Sequence, residues 1–169
     1  QFTYHGSPVH PGIVELFENF PEDSNEPQIL AVDLSTAQGS NRFNDDSCVK
    51  NESGWMRTKR SDPDDRNVFS YHFIGKLPSG TLVLHTCEEG GGSGSFEAVM
   101  LLAVDAEPAT AGDGRQRIRH VLRVLRTASL GDRADARIRI EASTVLIDRA
   151  KAHDVDLRTP LTLIDPQTH

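Results

Sequence analysis

The chain has 169 residues, 37% of them hydrophobic, so one domain with a real core is the natural reading. Its formal net charge is −7 and its pI is near 5.4. That acidity argues against DNA, RNA or an anionic membrane as the main partner, since phosphate binding needs a basic patch.

Residues 1–12 carry Gly6, Pro8, Pro11 and Gly12 and read as irregular. Residues 12–17 (GIVELF) are short and apolar, a strand or one helical turn. Residues 21–27 (PEDSNEP) form a loop. Residues 29–34 alternate Ile29, Ala31 and Asp33 against Leu30, Val32 and Leu34, the pattern of a strand with one greasier face. A long polar connection follows over 38–52, then a strand over 55–60 and a turn cluster over 61–67.

Residues 68–77 and 81–87 flank Pro78-Ser79-Gly80, the strongest hairpin signal in the chain. Pairing Leu77 with Thr81 puts Phe73 opposite His85, Tyr71 opposite Cys87 and Ile74 opposite Leu84. Apolar groups then occupy both faces, so the hairpin belongs at the centre of a doubly covered sheet. In that register His72 and His85 point to opposite faces. Another strand is expected over 96–105 and a surface loop over 106–115. Residues 117–130 fit either a helical stripe (Ile118, Val121, Leu122, Leu125) or a strand. Residues 136–141 (ARIRIE) place Ile138 and Ile140 inward, with Arg137 and Arg139 outward. Strands over 144–148 and 161–164 close the chain. Many short strands separated by turns predict an all-β antiparallel sandwich or barrel-like sheet over 1–169, with room for one short helix and at most one helix of any length, near 115–128.

The most unusual stretch is Glu88-Glu89-Gly90-Gly91-Gly92-Ser93-Gly94-Ser95-Phe96, between two apolar runs. So many glycines destabilise a loop unless unusual backbone angles or close approach require them. One reading is a wide β corner. The other is a loop presenting Gly92, Ser93, Gly94, Ser95 and Phe96, with Glu88 and Glu89, to a partner. Phosphate binding is excluded: no lysine follows the glycines, and two glutamates stand at the entrance. A third glycine of a dinucleotide fingerprint is missing, and so is the last glycine of a Gly-x-Ser-x-Gly elbow.

Two cysteines, Cys48 and Cys87, match no zinc spacing. In an oxidising compartment they would close a loop of about 40 residues, worth about 4 kcal/mol in the chain-entropy account. That disulfide is the expectation carried forward. Asn51-Glu52-Ser53 fits a glycosylation pattern that is common by chance. Asp62, Asp64 and Asp65 come closest to a calcium loop but lack its bidentate glutamate, so no metal or cofactor is expected. No apolar run approaches the roughly 20 residues that span a bilayer. A start at Gln1 without a methionine fits a mature secreted chain or a trimmed one.

The glycine loop at 90–96 and the later Ser129-Leu130-Gly131-Asp132-Arg133 together resemble a group of bacterial secreted proteins. These carry a GGGSGTF-like loop and a downstream LGDR segment. Val32-Asp33-Leu34 through Ser40-Asn41-Arg42-Phe43 is similar to that group's upstream part. The resemblance covers residues 28–148 and implies export and a β-rich fold. Ser93-Gly94-Ser95-Phe96 is also similar to the loop that periplasmic lysozyme inhibitors insert into the lysozyme cleft. Here phenylalanine stands where those proteins have a tyrosine. The second resemblance implies an inhibitor or immunity protein, periplasmic or extracellular, whose partner is a basic cell-wall hydrolase.

An enzyme would need convergence that spacing alone does not demand. Ser93, His85 and Glu88 are a conceivable hydrolase triad. Glu88, Glu89 and Glu97 are a conceivable carboxylate pair, though solvated loop charges are the simpler reading. Trp55 and Tyr71 can stack on sugar rings, although single aromatics in β proteins are more often core. Asp132-Arg133 reads as a turn with an ion pair. The sequence therefore points to a non-enzymatic binding protein acting through its loop, with an envelope hydrolase or a structural envelope protein as the rivals.

Overall fold

The computed structural model describes residues 2–18, 29–37, 48–50, 53–58, 67–90, 92–149 and 161–164. The expected loop at 21–27, most of the 38–52 connection and the turn cluster at 61–66 lie outside them. So do Asn51, Glu52, the Asp62–Asp65 acids and residues 59–60 of the expected 55–60 strand.

Among the described residues the fold is mostly β, with two short helices. In chain order the elements are β1 (Thr3–Tyr4), β2 (Ser7–Pro8), α1 (Pro11–Glu15), β3 (Ala31–Asp33), α2 (Leu34–Ala37) and β4 (Cys48–Lys50). Then come β5 (Trp55–Thr58), β6 (Asn67–Lys76), β7 (Leu82–Gly90) and β8 (Ser95–Thr110). β9 (Gln116–Asp132), β10 (Ala136–Glu141), β11 (Thr144–Arg149) and β12 (Leu161–Ile164) complete the described chain. One antiparallel sheet runs β3-β9-β8-β7-β6-β5-β4, and a second runs β10-β11-β12.

The large sheet is covered on both faces. Leu82, Leu84, Met100, Leu102 and Leu122 face one side and pack on Phe2, Val9, Ile13, Val14 and Phe17 of the N-terminal layer. Val83, Val99 and Leu101 face the other side and pack on Val145, Ile147 and Leu163 of the small sheet. Successive strand residues point to opposite faces, so both parities of β7 and β8 must be apolar where both layers reach them. The close approach of the small sheet shows at Gly75, where an added Cβ would lie 2.8 Å from Ile140 Cδ1.

Residues 1–12 were expected to be irregular, and the structure corrects this. His5 and Gly6 adopt positive φ (49° and 85°) and turn β1 back onto β2. α1 starts with Pro at its first turn, and the Gly12 N–H donates to His10 Nδ1 at 3.0 Å, capping it. The Tyr71 hydroxyl donates to the Val9 carbonyl at 2.5 Å. Tyr71 is therefore core, tying the N-terminal layer to the sheet. The strand expected at 29–34 is shorter than its pattern, because Leu34 opens α2.

Three further expectations change. Residues 106–110 are not loop but the end of β8; only 111–115 turn, with Gly114 at φ 81°. The ambiguous 117–130 is strand throughout, since β9 pairs with β8 from Thr110↔Gln116 to Phe96↔Asp132. Cross-strand charges support it: Arg119 meets Glu107 at 2.8 Å and Arg123 meets Asp105 at 2.9 Å. The β6–β7 register departs from the simple hairpin. Lys76 pairs with Leu82 and Gly75 with Val83, but Phe73 pairs with Leu84. Ile74 is an extra residue in a bulge, so every pair beyond it slips by one.

The expected Cys48–Cys87 disulfide does not form, and Cys87 is a free thiol. β4 and β7 are separated by β5 and β6. Three strand spacings amount to about 14 Å, whereas a disulfide needs Cα atoms within about 7 Å. Unfolded, unreduced protein should therefore yield two thiols per chain with a thiol-reactive dye. A count of zero would mean that the sheet order is wrong.

Candidate functional site

β7 and β8 outrun the small sheet at their loop end, and polar side chains begin where its cover stops. The bulge at Ile74 decides which ones meet. Trp55, His72 and His85 pair across three strands, and so do Arg57, Ser70, Cys87 and Glu97 across four. Glu89 and Ser95 complete the patch as the last pair of β7 and β8. His72 and His85 thus share a face, contrary to the simple hairpin register. The Trp55 ring is tilted over both, with centroids 5.7 Å from His72 and 4.9 Å from His85.

His85 Nε2 lies 2.7 Å from Glu97 Oε2, and both side chains are largely buried. Burial, reinforced by neighbouring His72, pushes the His85 imidazole down to about 4. Burial, reinforced by Asp135, pushes the Glu97 carboxyl up. At neutral pH His85 is an uncharged imidazole, hydrogen-bonded through Nε2 to the Glu97 carboxyl group. Beside it the Cys87 thiol is pushed up by burial, with Ser95 Oγ 3.2 Å away. A thiol held in its neutral form is a poor nucleophile. Ser70 donates to the Cys87 carbonyl at 3.3 Å, and Arg57 pairs with Glu89 at 2.7 Å. Among the described residues no group of three or more His, Cys, Asp or Glu side chains is placed to hold a metal ion.

The conceivable triad of Ser93, His85 and Glu88 is not assembled. Glu88 alternates to the opposite face from His85, and the Ser93 carbonyl is bound by Arg133. Glu88 and Glu89 likewise point to opposite faces, so they form no carboxylate pair.

The loop itself is braced by the LGDR segment, so the two motifs meet in space. Asp132 Oδ1 accepts the Ser95 N–H at 2.7 Å, and the Arg133 N–H donates to the Ser95 carbonyl at 2.7 Å. The Arg133 guanidinium donates to the Ser93 carbonyl through Nε at 3.0 Å and through Nη2. Gly131 at φ 99° and Arg133 at φ 49° shape the bend that aims these groups. Asp132 and Arg133 do more than form a turn, although their side chains also approach to 3.9 Å. Gly92 and Ser93 are exposed and Gly94 and Ser95 half-buried; Phe96 is 57% exposed, opposite Glu88. An added Cβ at Gly94 would meet the Phe96 ring at 3.1 Å, so the ring lies against the loop backbone.

Trp55, Arg57, Ser70 and Glu97 join the patch without having been read together from sequence. The usable signal was the alternation of His85, Cys87 and Glu89 on one strand and Ser95 and Glu97 on the next. On the other face Glu18 is held by the Thr86 hydroxyl. Burial, with Glu88 and Glu15 adding repulsion, raises its carboxyl to about 7.

Comparison with protein-family models, with curated proteins and with solved structures finds no match to this chain.

The two shifted groups give opposite pH dependences. His85 stays neutral in the fold to about pH 4 but takes a proton in the unfolded chain below about 6.5, so its contribution is complete above 6.5 and lost toward 4. Relative to His85→Gln, the wild type should lose on the order of 2 kcal/mol over that window in urea melts. No change in the difference would mean that His85 titrates normally. Glu18 is protonated in the fold up to about pH 7 while the unfolded chain ionises near 4.5. Its contribution is complete below 4.5 and lost as pH rises through 7, so Glu18→Gln should gain on the wild type between pH 5 and pH 8. A constant difference would count against the buried, protonated carboxyl.

Proposed function

We propose that this chain is an exported, non-catalytic binding protein that engages a basic macromolecule through loop 90–96. In its most concrete form it inhibits, or gives immunity to, a lysozyme-like cell-wall hydrolase. The observation that carries this is the bracing of the loop by Asp132 and Arg133 beneath an exposed Phe96. With the backbone of Ser93 and Ser95 already held, that part of the loop loses little freedom on binding, which is the cost that weakens floppy loops. Large exposed aromatics make good anchors when buried by a partner. Glu88 opposite Phe96 and the overall charge of −7 suit a basic surface and speed encounter with it. The Ser93 hydroxyl, exposed and without a bonding partner among the described residues, can reach a catalytic carboxylate in a cleft. Export rests on the resemblance of the two motifs, and a periplasmic or extracellular setting follows from it.

The test separates anchor from core. Phe96→Ala should change thermal stability by less than about 1 kcal/mol, as befits an exposed side chain. It should weaken binding to a basic lysozyme by about 2 kcal/mol or more, measured by calorimetry. Asp132→Ala should weaken binding too, by freeing the loop. A wild-type chain that neither binds nor inhibits such an enzyme, or a Phe96→Ala variant that binds as well, rules the reading out.

A further inference from the structure

The polar face of β5, β6 and β7 carries a second site, beside loop 90–96 and meeting it where Cys87 lies against Ser95. An open depression of about 180 Å³ lies there, lined among the described residues by Trp55, Arg57, Ser70, Cys87 and Glu89. We propose that it binds a single neutral sugar ring. A pyranose has one apolar C–H face and a rim of hydroxyls that both donate and accept. Its site must offer a flat apolar wall beside paired donors and acceptors.

Trp55 supplies the wall. Its indole is held against His72 and His85, and His85 is in turn fixed by Glu97 at 2.7 Å, so the platform is rigid. Arg57 and Glu89 supply the rim. Their 2.7 Å contact uses one guanidinium nitrogen and one carboxylate oxygen. The remaining guanidinium N–H groups and the second oxygen of Glu89 are left to adjacent hydroxyls, and both side chains are about half exposed. Ser70, which donates to the Cys87 carbonyl, keeps lone pairs for one more hydroxyl.

Charge and size restrict the ligand further. Arg57 and Glu89 cancel at the mouth, so neither a phosphate, a carboxylate nor an ammonium finds an unopposed partner there. The volume falls below the roughly 300–1,000 Å³ of sites for drug-sized ligands, which suits one ring.

The chain has a single tryptophan, so its emission reports this pocket alone. Glucose, galactose, mannose and N-acetylglucosamine should be titrated into the full chain, with glucuronate and glucosamine as charged analogues. At least one neutral sugar should change Trp55 emission saturably, with Kd on the order of 1 mM. Glu89→Gln and Arg57→Gln should each weaken it about tenfold without moving the melting temperature, and bound sugar should slow alkylation of Cys87. The proposal is overturned if no neutral sugar saturates, if only a charged analogue does, or if both variants bind like the wild type.

Discussion

Everything that is specific about this molecule depends on how far the covering layers reach along β7 and β8. Over Leu82, Val83 and Leu84 of β7 and residues 99–103 of β8 the sheet has apolar layers on both faces, and every position there is apolar. Beyond His85 the small sheet no longer covers the face. Polar side chains begin there, and their burial is met by pairing: His85 bonds Glu97 and Cys87 lies against Ser95. The polar face therefore begins where the apolar cluster of the small sheet ends among the described residues.

The bulge at Ile74 acts on the same ground. In a strand one extra residue reverses which face every later side chain occupies. Without it, Tyr71 and Phe73 would leave the core that holds the N-terminal layer, and His72 would lose its place beside His85. Gly75, next to the bulge, has no side chain, and Ile140 fills that space. The irregularity that fixes the patch thus sits against the second sheet, whose Ile140 comes some 65 residues later in sequence.

This explains what was legible in the sequence and what was not. The strands over 68–77, 81–87, 136–141 and 144–148 were readable because alternation and aliphatic runs are local signals. The double coverage was readable too, from apolar residues on both parities of one hairpin. The bulge was not, because Phe73-Ile74-Gly75 alternates no differently from a regular strand, and the Ile140 side chain that packs over Gly75 comes from a distant strand. Residues 117–130 were undecidable locally, and the long partner β8 settled them as strand. The disulfide failed for a related reason: two cysteines show no strand order, and the insertion of β5 and β6 between them is a matter of topology.

The brace between LGDR and the glycine loop bears on why so flexible a composition is tolerated. Glycines carry an entropic cost that a loose loop never recovers. Here Asp132 and Arg133 engage the backbone of Ser93 and Ser95, and charged groups make the stronger hydrogen bonds. A corner needed only to reverse the chain could be shorter and would not need an arginine beneath it. The expenditure makes sense if the backbone must hold one shape at the sheet's end, with Phe96 turned to solvent rather than folded into the core. Selection for stability alone favours burying that ring, since each buried aromatic contributes several kcal/mol at most sites in a core. Here the ring instead stays exposed, lying against the loop backbone at Gly94.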